Sequence, residues 1–346
     1  MLPEDIELSQ NISTNIQAFF DATDYEKVAV IVDENTKSLC LPLVKNVLPP
    51  SSIIEIKSGE EHKNLDTCKT IWERLTKFQF DRKSLVVNLG GGVIGDMGGF
   101  CAATYKRGID FINIPTTLLA QVDASVGGKL GIDFMGFKNH IGAFMKPRKV
   151  FIDTSFLKTL PENELRSGFA EVIKHCLIAD AGYWQTISLK DIHGQIWPDI
   201  VLHSLEVKNK IVSDDPFEKG LRKILNFGHT IGHAIESYFL EQNDGRLLHG
   251  EAVAAGMICE TYLSEAKCNF PICTTKKVES YIFQTFGKIS LSSNDIDQIV
   301  RYCEQDKKNE KGTINFSLLK EIGNPVFNIA VEQEEIRKVI QRYSHL

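Results

Sequence analysis

The first half of the chain alternates short, β-branched apolar runs with amphipathic segments. The apolar runs predict strands at residues 27–33, 53–56, 84–89, 111–114 and 149–153, and helical spacing between them predicts helices at 36–47 and 66–78. The run Lys27–Asp33 is apolar at consecutive positions, which favours a strand buried on both faces. Strands that alternate with helices are joined by right-handed crossovers, so we expect a parallel α/β sheet.

The second half of the chain has a different pattern. From Pro161 onward the apolar positions recur with helical spacing almost throughout, and Pro161 followed by acidic residues is typical of the first turn of a helix. A chain of 346 residues is long enough for two cores. We therefore expect a nucleotide-binding α/β domain over residues 1–158 and a mainly α-helical domain over residues 159–346.

A glycine-rich segment follows the strand expected at 84–89. Gly90, Gly92 and Gly95 fit the pattern Gly-x-Gly-x-x-Gly between a strand and a helix. Such glycines let the backbone approach a pyrophosphate at the N-terminus of the next helix, although they also serve tight turns and close packing. The usual Rossmann fingerprint lies on the first strand, whereas this one follows at least two others. We expect phosphate or pyrophosphate binding in a different strand order.

Polar residues follow two more of the expected strands. Asp33 and Asn35 lie at the carboxyl end of the first, where open α/β sheets bind their ligands. Thr116 and Thr117 follow the strand at 111–114. Their hydroxyls could contact a nucleotide or cap the next helix, and the sequence leaves both alternatives open.

Charged residues interrupt the apolar and glycine-rich stretch from 118 to 142. Asp123, Lys129 and the pair Lys138 and Asn139 lie among glycines and apolar side chains. Burying a charge is costly unless it is paired or faces a ligand. An isolated lysine usually belongs to a solvated loop, but three charged groups among five glycines favour a loop that faces a substrate.

Histidines concentrate between residues 225 and 256. His229 and His233 are four residues apart in an apolar context that predicts a helix, so both rings project from one face. His249 opens a second apolar helix after a short polar connection. Three imidazoles on two helices could bind zinc or a similar cation, although a His-x-x-x-His pair can equally be a satisfied polar pair.

An earlier helix offers an oxygen ligand. Glu171 and Lys174 are three residues apart and share a face, so they could form a surface ion pair. Their neighbours Phe169, Val172 and Ile173 leave little polar surface for such a pair. In the sharper interpretation Glu171 completes a Glu/His/His site, which keeps one coordination position open for water or substrate.

Composition narrows the function classes. The net charge is −6, from 39 basic and 45 acidic side chains, which argues against a general nucleic-acid surface. The eight cysteines are scattered without a Cys-x-x-Cys pair, as expected of buried thiols in a reducing compartment. We find no signal-peptide pattern and no apolar run long enough to span a bilayer. The expected location is the cytoplasm.

Together these motifs resemble those of the 3-dehydroquinate synthases, which are sugar phosphate cyclases. The resemblance runs from about Asp33 to Lys308, and the joint pattern in this order is highly specific. It is densest at residues 90–99, 107–108, 115–129, 138–139, 168–174, 225–236 and 249–256. His140 is a local departure, since the family more often has an apolar residue there. The resemblance implies an NAD-binding α/β domain, an α-helical domain, and an active site in the cleft between them.

The resemblance also implies a role for individual residues. The ligands of Zn²⁺ or Co²⁺ would be Glu171, His229 and His249, which leaves His233 to proton transfer or to substrate. The residues assigned to NAD are Asp33, Asn35, Glu60, Lys63, Gly91, Gly92, Asp96, Thr116, Thr117 and Lys138. Those assigned to catalysis or substrate are Arg107, Asp123, Lys129, Asn139, Lys174, Lys208, Arg222, Asn226, His233 and Lys307, with Lys308 as the alternative to Lys307.

The implied activity is that of a lyase of the shikimate pathway of aromatic amino acid biosynthesis. 3-Deoxy-D-arabino-heptulosonate 7-phosphate would give 3-dehydroquinate and phosphate by transient oxidation with NAD, phosphate elimination, re-reduction and aldol ring closure. A substrate with a phosphate and a carboxylate explains why an acidic protein gathers lysines and arginines in its motifs. The family also suggests a homodimer.

Three alternatives stay open. A metal-dependent polyol dehydrogenase would release NADH, and its substrates would not need cationic residues around the metal. A sedoheptulose 7-phosphate cyclase of the same superfamily would have altered residues around 122–129. A catalytically inactive nucleotide-binding subunit would not need to keep Glu171, His229, His249 and Lys129 together.

Overall fold

The computed structural model describes residues 2–135, 137–242, 247–305 and 314–345. The chain divides into two compact units, one of Met1–Pro161 with Trp197–Asn209 and the other of Glu162–Ile196 with Lys210–Leu346. The strands are β1 (Ile6–Leu8), β2 (Lys27–Asp33), β3 (Ser51–Ile56), β4 (Ser84–Gly90), β5 (Asp110–Pro115), β6 (Lys129–Phe134), β7 (Phe137–Phe144), β8 (Lys149–Ile152), β9 (Ile314–Glu321) and β10 (Asn324–Val331). The helices are α1 (Ile12–Asp21), α2 (Glu34–Leu39), α3 (Leu41–Val44), α4 (Leu65–Lys77), α5 (Gly92–Thr104), α6 (Glu162–Ala179), α7 (Ala181–Ser188), α8 (Trp197–Asp214), α9 (His229–Glu241), α10 (His249–Cys268), α11 (Ile272–Phe286), α12 (Ser293–Gln305) and α13 (Gln333–His345).

The first unit is built on a six-stranded parallel sheet with strand order β1-β8-β5-β4-β2-β3. Strand β4 is buried at every position, as a central strand covered on both faces must be. Two separate apolar clusters include residues of the sheet, one with Ala29 and Val86 and the other with Val30 and Val87. The predicted parallel α/β sheet is confirmed, and the glycine-rich turn follows the fourth strand in the chain, outside the Rossmann order.

A hairpin replaces the loop that we expected between residues 129 and 142. Strands β6 and β7 pair antiparallel, and Leu130 and Ile132 are buried against the core of the first unit. Gly131 faces Gly142 across the hairpin, and a Cβ on Gly142 would lie 2.2 Å from the carbonyl oxygen of Leu130. The glycines permit this close approach, and their absence of side chains hid the strand alternation in the sequence.

The second unit is mainly α-helical, as predicted, and it also contains the antiparallel pair β9 and β10. The segment from Arg222 to His229 is not one continuous helix. Residues Leu221–Asn226 form a 3₁₀ helix, and Gly228 has a left-handed φ of 81° before α9 begins. The break turns the histidine helix in a new direction.

The cysteines and the lengths of the helices give two further features of the fold. None of the eight cysteines forms a disulfide, and all of them lie in the part of the chain that the structure describes. Within the same residues, no helix combines the length and the apolar character that a bilayer crossing requires.

Two glycines of α5 give a matched test of the packing beside the glycine-rich turn. A Cβ on Gly98 would lie 2.0 Å from Oδ1 of buried Asn88, whereas a Cβ on Gly95 would meet nothing within 4 Å. Gly98→Ala should lower the free energy of unfolding by about 1–2 kcal/mol, because overpacking outweighs the gain in helix propensity. Gly95→Ala should be neutral or stabilising by up to about 1 kcal/mol. Equal urea midpoints for the two variants would contradict this packing.

Candidate functional site

Close packing of α9 against α10 brings the three histidines together. A Cβ on Gly256 would lie 2.1 Å from the carbonyl oxygen of Gly228, so the two helices can approach this closely only because glycine is present. The ring centroids of His229 and His249 are 5.5 Å apart. The ring of His233 lies 5.1 Å from that of His229 and 5.7 Å from that of His249.

The carboxylate of Glu171 on α6 meets two of these rings. Its side chain is 1% exposed, and Oε1 lies 3.2 Å from Nε2 of His229 and 3.8 Å from Nε2 of His249. The other carboxylate oxygen contacts the ammonium of Lys174. Burial would raise the pKa of Glu171, but Lys174 and His229 outweigh burial and hold this pKa well below its usual range. The carboxylate is therefore ionised.

The atoms around Glu171 fit a divalent cation. Among the described residues, Oε1 of Glu171 accepts no hydrogen bond of normal geometry, although the two Nε2 atoms lie within 4 Å. One carboxylate oxygen and two imidazole nitrogens are a donor set that zinc accepts, with a fourth position left over. His229, His233 and His249 also hold one nitrogen each within 4.8 Å of one another, so a second donor set exists.

The far sides of two rings are held by acceptors. Nδ1 of His229 lies 3.1 Å from the carbonyl oxygen of Phe227, and Nδ1 of His249 lies 3.2 Å from Oε2 of Glu236. An Nδ1–H donated to these oxygens leaves each Nε2 free to bind a metal. Burial, with Lys174 nearby, lowers the pKa of His229. Burial would also lower the pKa of His249, but Glu236 and Glu171 outweigh it and raise that pKa to about 9.

Glu236 was missed in the sequence, although a signal for it was present. It lies seven residues after His229, two helical turns along α9, and therefore on the same face as the two histidines of that helix. A carboxylate is a common hydrogen-bond partner of a metal-binding imidazole, and Glu236 takes this position beside His249 on α10.

The 3₁₀ helix before α9 holds two residues assigned to substrate. Arg222 is buried, and its Nη1 donates to the carbonyl oxygen of Pro216 at 2.7 Å. Asn226 donates to Oε1 of Glu218 at 2.7 Å. The carboxylate of Asp215 accepts the backbone N–H of Arg222 at 3.1 Å and so fixes this turn. Sequence spacing gave no signal for Glu218, because its contact depends on a turn with a φ of 57°.

In the first unit, the glycine-rich turn forms the floor of a small recess. This recess is lined by Asn88, Gly90, Gly91, Gly92, Gly95, Asn113, Pro115, Ala120, Ala124 and Ser125. The N–H of Thr116 donates to the carbonyl oxygen of Gly90 at 3.0 Å. Thr117 accepts the N–H of Ala120 at 3.2 Å, so the capping alternative holds for this hydroxyl. The first N–H groups of a helix have no partner within it, so the start of α5 suits an anion.

A buried lysine gathers several of the residues assigned to NAD. Nζ of Lys63 lies 2.7 Å from Oδ2 of Asp96 and 2.7 Å from Oδ1 of Asn139. Oε1 of Glu60 lies 3.6 Å from Nζ of Lys138 and 3.9 Å from that of Lys63. Burial would lower the pKa of Lys63, but Asp96 and Glu60 outweigh it and raise that pKa. The cluster brings Asn139, which the resemblance assigns to substrate, together with residues that the resemblance assigns to NAD.

Other assigned residues of this unit are placed as follows. Asp33 ends β2 and caps α2, accepting the N–H of Thr36 at 2.7 Å, and Asn35 is exposed on α2. Asp123 lies in the π-helical turn Ala120–Ala124, where its Oδ1 is 2.8 Å from Nζ of Lys208. π-Helical turns in other proteins often occur at functional sites.

Two further assigned residues are exposed, and a third lies outside the described residues. Lys129 is exposed at the first position of β6. Arg107 is exposed in the turn after α5, at the opposite end of this 13-residue helix from the glycine turn and hence about 20 Å away. Lys307 and its alternative Lys308 lie outside the described residues.

Comparison with family models covers both halves of the chain. Residues 53–167 match the model for the 3-dehydroquinate synthase N-terminal domain, and residues 168–309 match the model for the C-terminal domain. A curated 3-dehydroquinate synthase from Parabacteroides distasonis is 42% identical over 99% of this chain and 98% of its own length. That from Sulfurovum sp. is 36% identical over 99% of both chains.

Solved structures agree with this fold. A 2-deoxy-scyllo-inosose synthase, solved with carbaglucose-6-phosphate, NAD⁺ and Co²⁺, has a TM-score of 0.86 and 25% identity over 97% of this chain and 96% of its own. The 2-epi-5-epi-valiolone synthase of Streptomyces hygroscopicus, at 24% identity, has a TM-score of 0.87 over 100% and 98% of the two chains and supports the fold alone. The predicted resemblance is confirmed: the chain belongs to the 3-dehydroquinate synthase family.

Proposed function

We propose that this chain converts 3-deoxy-D-arabino-heptulosonate 7-phosphate to 3-dehydroquinate and phosphate. Membership of the 3-dehydroquinate synthase family supports the proposal. The observation that carries it is the buried, ionised carboxylate of Glu171 within 4 Å of Nε2 of both His229 and His249. A family member that had lost its chemistry would have no reason to keep this costly arrangement.

We assign the cation to Glu171, His229 and His249, with His233 left out of the ligand set. The position of Glu171 favours this set, because a buried negative charge offsets the charge of a cation better than a third neutral imidazole does. A bound Zn²⁺ or Co²⁺ would act as a Lewis acid that lowers the cost of ionising a substrate hydroxyl. His233 would then exchange a proton with substrate, and the departing phosphate could accept the proton of the elimination step.

The first unit holds the groups proposed for NAD. The N–H groups at the glycine turn and the start of α5 suit the pyrophosphate. Asp33 lies at the carboxyl end of β2, where a parallel sheet presents ligand-binding groups. The ion-paired cluster around Lys63 keeps its charges fixed before the cofactor binds. NAD held by these groups would supply a reversible hydride acceptor, so the overall reaction would involve no net oxidation.

Buried cations suit the anionic groups of the substrate. Lys174, Lys208 and Arg222 are each buried in the unit to which they belong. A buried guanidinium can bind a carboxylate or a phosphate through two parallel hydrogen bonds. A cytoplasmic homodimer remains a prediction, as do the roles of Arg107, Lys129 and Lys307.

The proposed function is tested by following phosphate release and NADH absorbance in one sample of purified protein with NAD, Zn²⁺ and the heptulosonate phosphate. Because NAD is regenerated within each turnover, one phosphate should appear per substrate without any accumulation of NADH. NADH formed in proportion to substrate would support a dehydrogenase instead. A test with sedoheptulose 7-phosphate serves as the control, and turnover of that substrate alone would support the related cyclase.

The ligand assignment is tested by Glu171→Gln and His249→Ala. Each variant should lower turnover about a thousand-fold or more, because a metal contributes several kcal/mol of transition-state stabilisation. Glu162→Gln on the same helix, where the carboxylate is exposed, is the matched control and should keep normal turnover. Full activity of either ligand variant after metal removal would rule out the assignment.

The anion-binding role of Arg222 is tested by Arg222→Ala and Arg222→Lys. The alanine variant should raise the KM for the sugar phosphate about 10- to 100-fold while the Kd for NAD stays the same, since hydrogen bonds to a charged group are lost. Lysine should restore part of the affinity because it keeps the charge. Lys223→Ala, next to it, is the control. Equal weakening of NAD binding and substrate binding would contradict the assignment of Arg222 to the substrate pocket.

A further inference from the structure

A buried carboxylate lies at the N-terminus of the helix that begins with His229. Glu260 on α10 is 0% exposed. Its Oε2 accepts the backbone N–H of Gly228 at 2.6 Å, and its Oε1 accepts that of Ile231 at 3.2 Å. Glu260 has no place in the motifs or in the proposed reaction, so its burial needs another explanation.

We propose that Glu260 is a positioning residue that fixes the start of α9 and so the place of His229 in the metal site. This inference rests on the proposed assignment of His229 as a metal ligand. Glu260 would act only through the backbone that carries the imidazole of His229, without contact to the cation or the substrate.

The N-terminus of α9 has an unusual need for an external cap. The first N–H groups of a helix have no partner within it and are usually satisfied by the side chain of the preceding residue. That residue is Gly228, which has no side chain, and the first turn of α9 contains no acidic residue. A carboxylate from another helix supplies both the acceptor oxygens and the negative charge that the helix N-terminus attracts.

One face of α10 contacts α9 and includes both Glu260 and His249. His249, Val253, Gly256 and Glu260 are spaced four, three and four residues apart and therefore share a face. A Cβ on Gly256 would clash with the carbonyl oxygen of Gly228, so this face lies directly against the start of α9. One face of α10 thus carries the proposed ligand His249 at one end and, at the other end, Glu260, which binds the start of the helix that carries His229.

The position of this helix start matters because metal sites tolerate little displacement. Ligand distances usually hold within about 0.2 Å, so a small slide of α9 would move Nε2 of His229 out of register with Oε1 of Glu171. Removing Glu260 would leave two buried N–H groups unsatisfied, which also lowers stability. If Glu260 is only structural, its removal should lower stability alone. If Glu260 positions His229, its removal should also weaken metal binding.

The test compares Glu260→Ala and Glu260→Gln with the unsubstituted protein and with Asp295→Asn. Asp295 accepts the N–H of Ser292 and the hydroxyl of Tyr238, which lies nine residues after His229 on α9. Its variant therefore weakens contacts in the same unit near the far end of α9 and leaves the start of that helix unchanged. Metal-free protein is titrated with Co²⁺ while its visible absorption is recorded. Thermal unfolding, NAD affinity and hydrogen exchange at the amides of Gly228 and Ile231 are measured alongside.

Glu260→Ala should weaken Co²⁺ binding about 10- to 100-fold, the range seen when partners of metal ligands are removed. The glutamine variant should fall between alanine and the original residue, because its amide oxygen can accept only one of the two bonds well. Hydrogen exchange at Gly228 and Ile231 should become faster, while NAD affinity stays unchanged. Asp295→Asn should lower the unfolding temperature and leave Co²⁺ affinity unchanged.

A Glu260→Ala protein that folds and binds Co²⁺ as tightly as the original would overturn the proposal. If alanine does not fold, wild-type Co²⁺ affinity in the glutamine variant would do the same. The titration uses no substrate, so it separates this inference from the proposed reaction. If the unsubstituted protein binds Co²⁺ but forms no dehydroquinate, only the proposed reaction is contradicted. If the unsubstituted protein binds no Co²⁺, both the metal assignment and the proposed role of Glu260 are contradicted.

Discussion

The structure of the second unit depends on a negative charge that has been taken out of water. The carboxylate of Glu171 is almost fully buried on an otherwise apolar stretch of α6, and such a charge is tolerated only when cations or strong donors surround it. Lys174 supplies one cation through the helix's own spacing. The two imidazoles come from a different part of the chain, so the whole arrangement of α6, α9 and α10 is needed to bring them to this carboxylate.

Glycine is what lets those helices meet. Gly228, Gly232 and Gly256 allow the backbones of α9 and α10 to come into close contact. Close contact of this kind orients the rings but also leaves a helix start with no cap of its own. Two buried carboxylates complete this contact. Glu236 binds the imidazole of His249, and Glu260 accepts the backbone N–H of Gly228 at the start of α9.

The sequence predicted what depends on local pattern and failed where contacts are distant. The strand Lys27–Asp33 was predicted with its bounds correct, and the helix from His229 followed from spacing alone. The hairpin of β6 and β7 was missed because glycines hide a strand's alternation. The break before α9 was not predicted, because a left-handed φ at Gly228 leaves no mark on periodicity. Glu260 could not be found, since only the crossing of two helices places it there.

In the proposed site Glu171, His229 and His249 bind one cation together. The sharpest test is anomalous diffraction from crystals grown with Co²⁺ and NAD, recorded on either side of the cobalt absorption edge. We expect one strong peak within bonding distance of an oxygen of Glu171 and Nε2 of both histidines, with His233 unligated. A peak bound by the three histidines without Glu171, or one located away from these side chains, would contradict it.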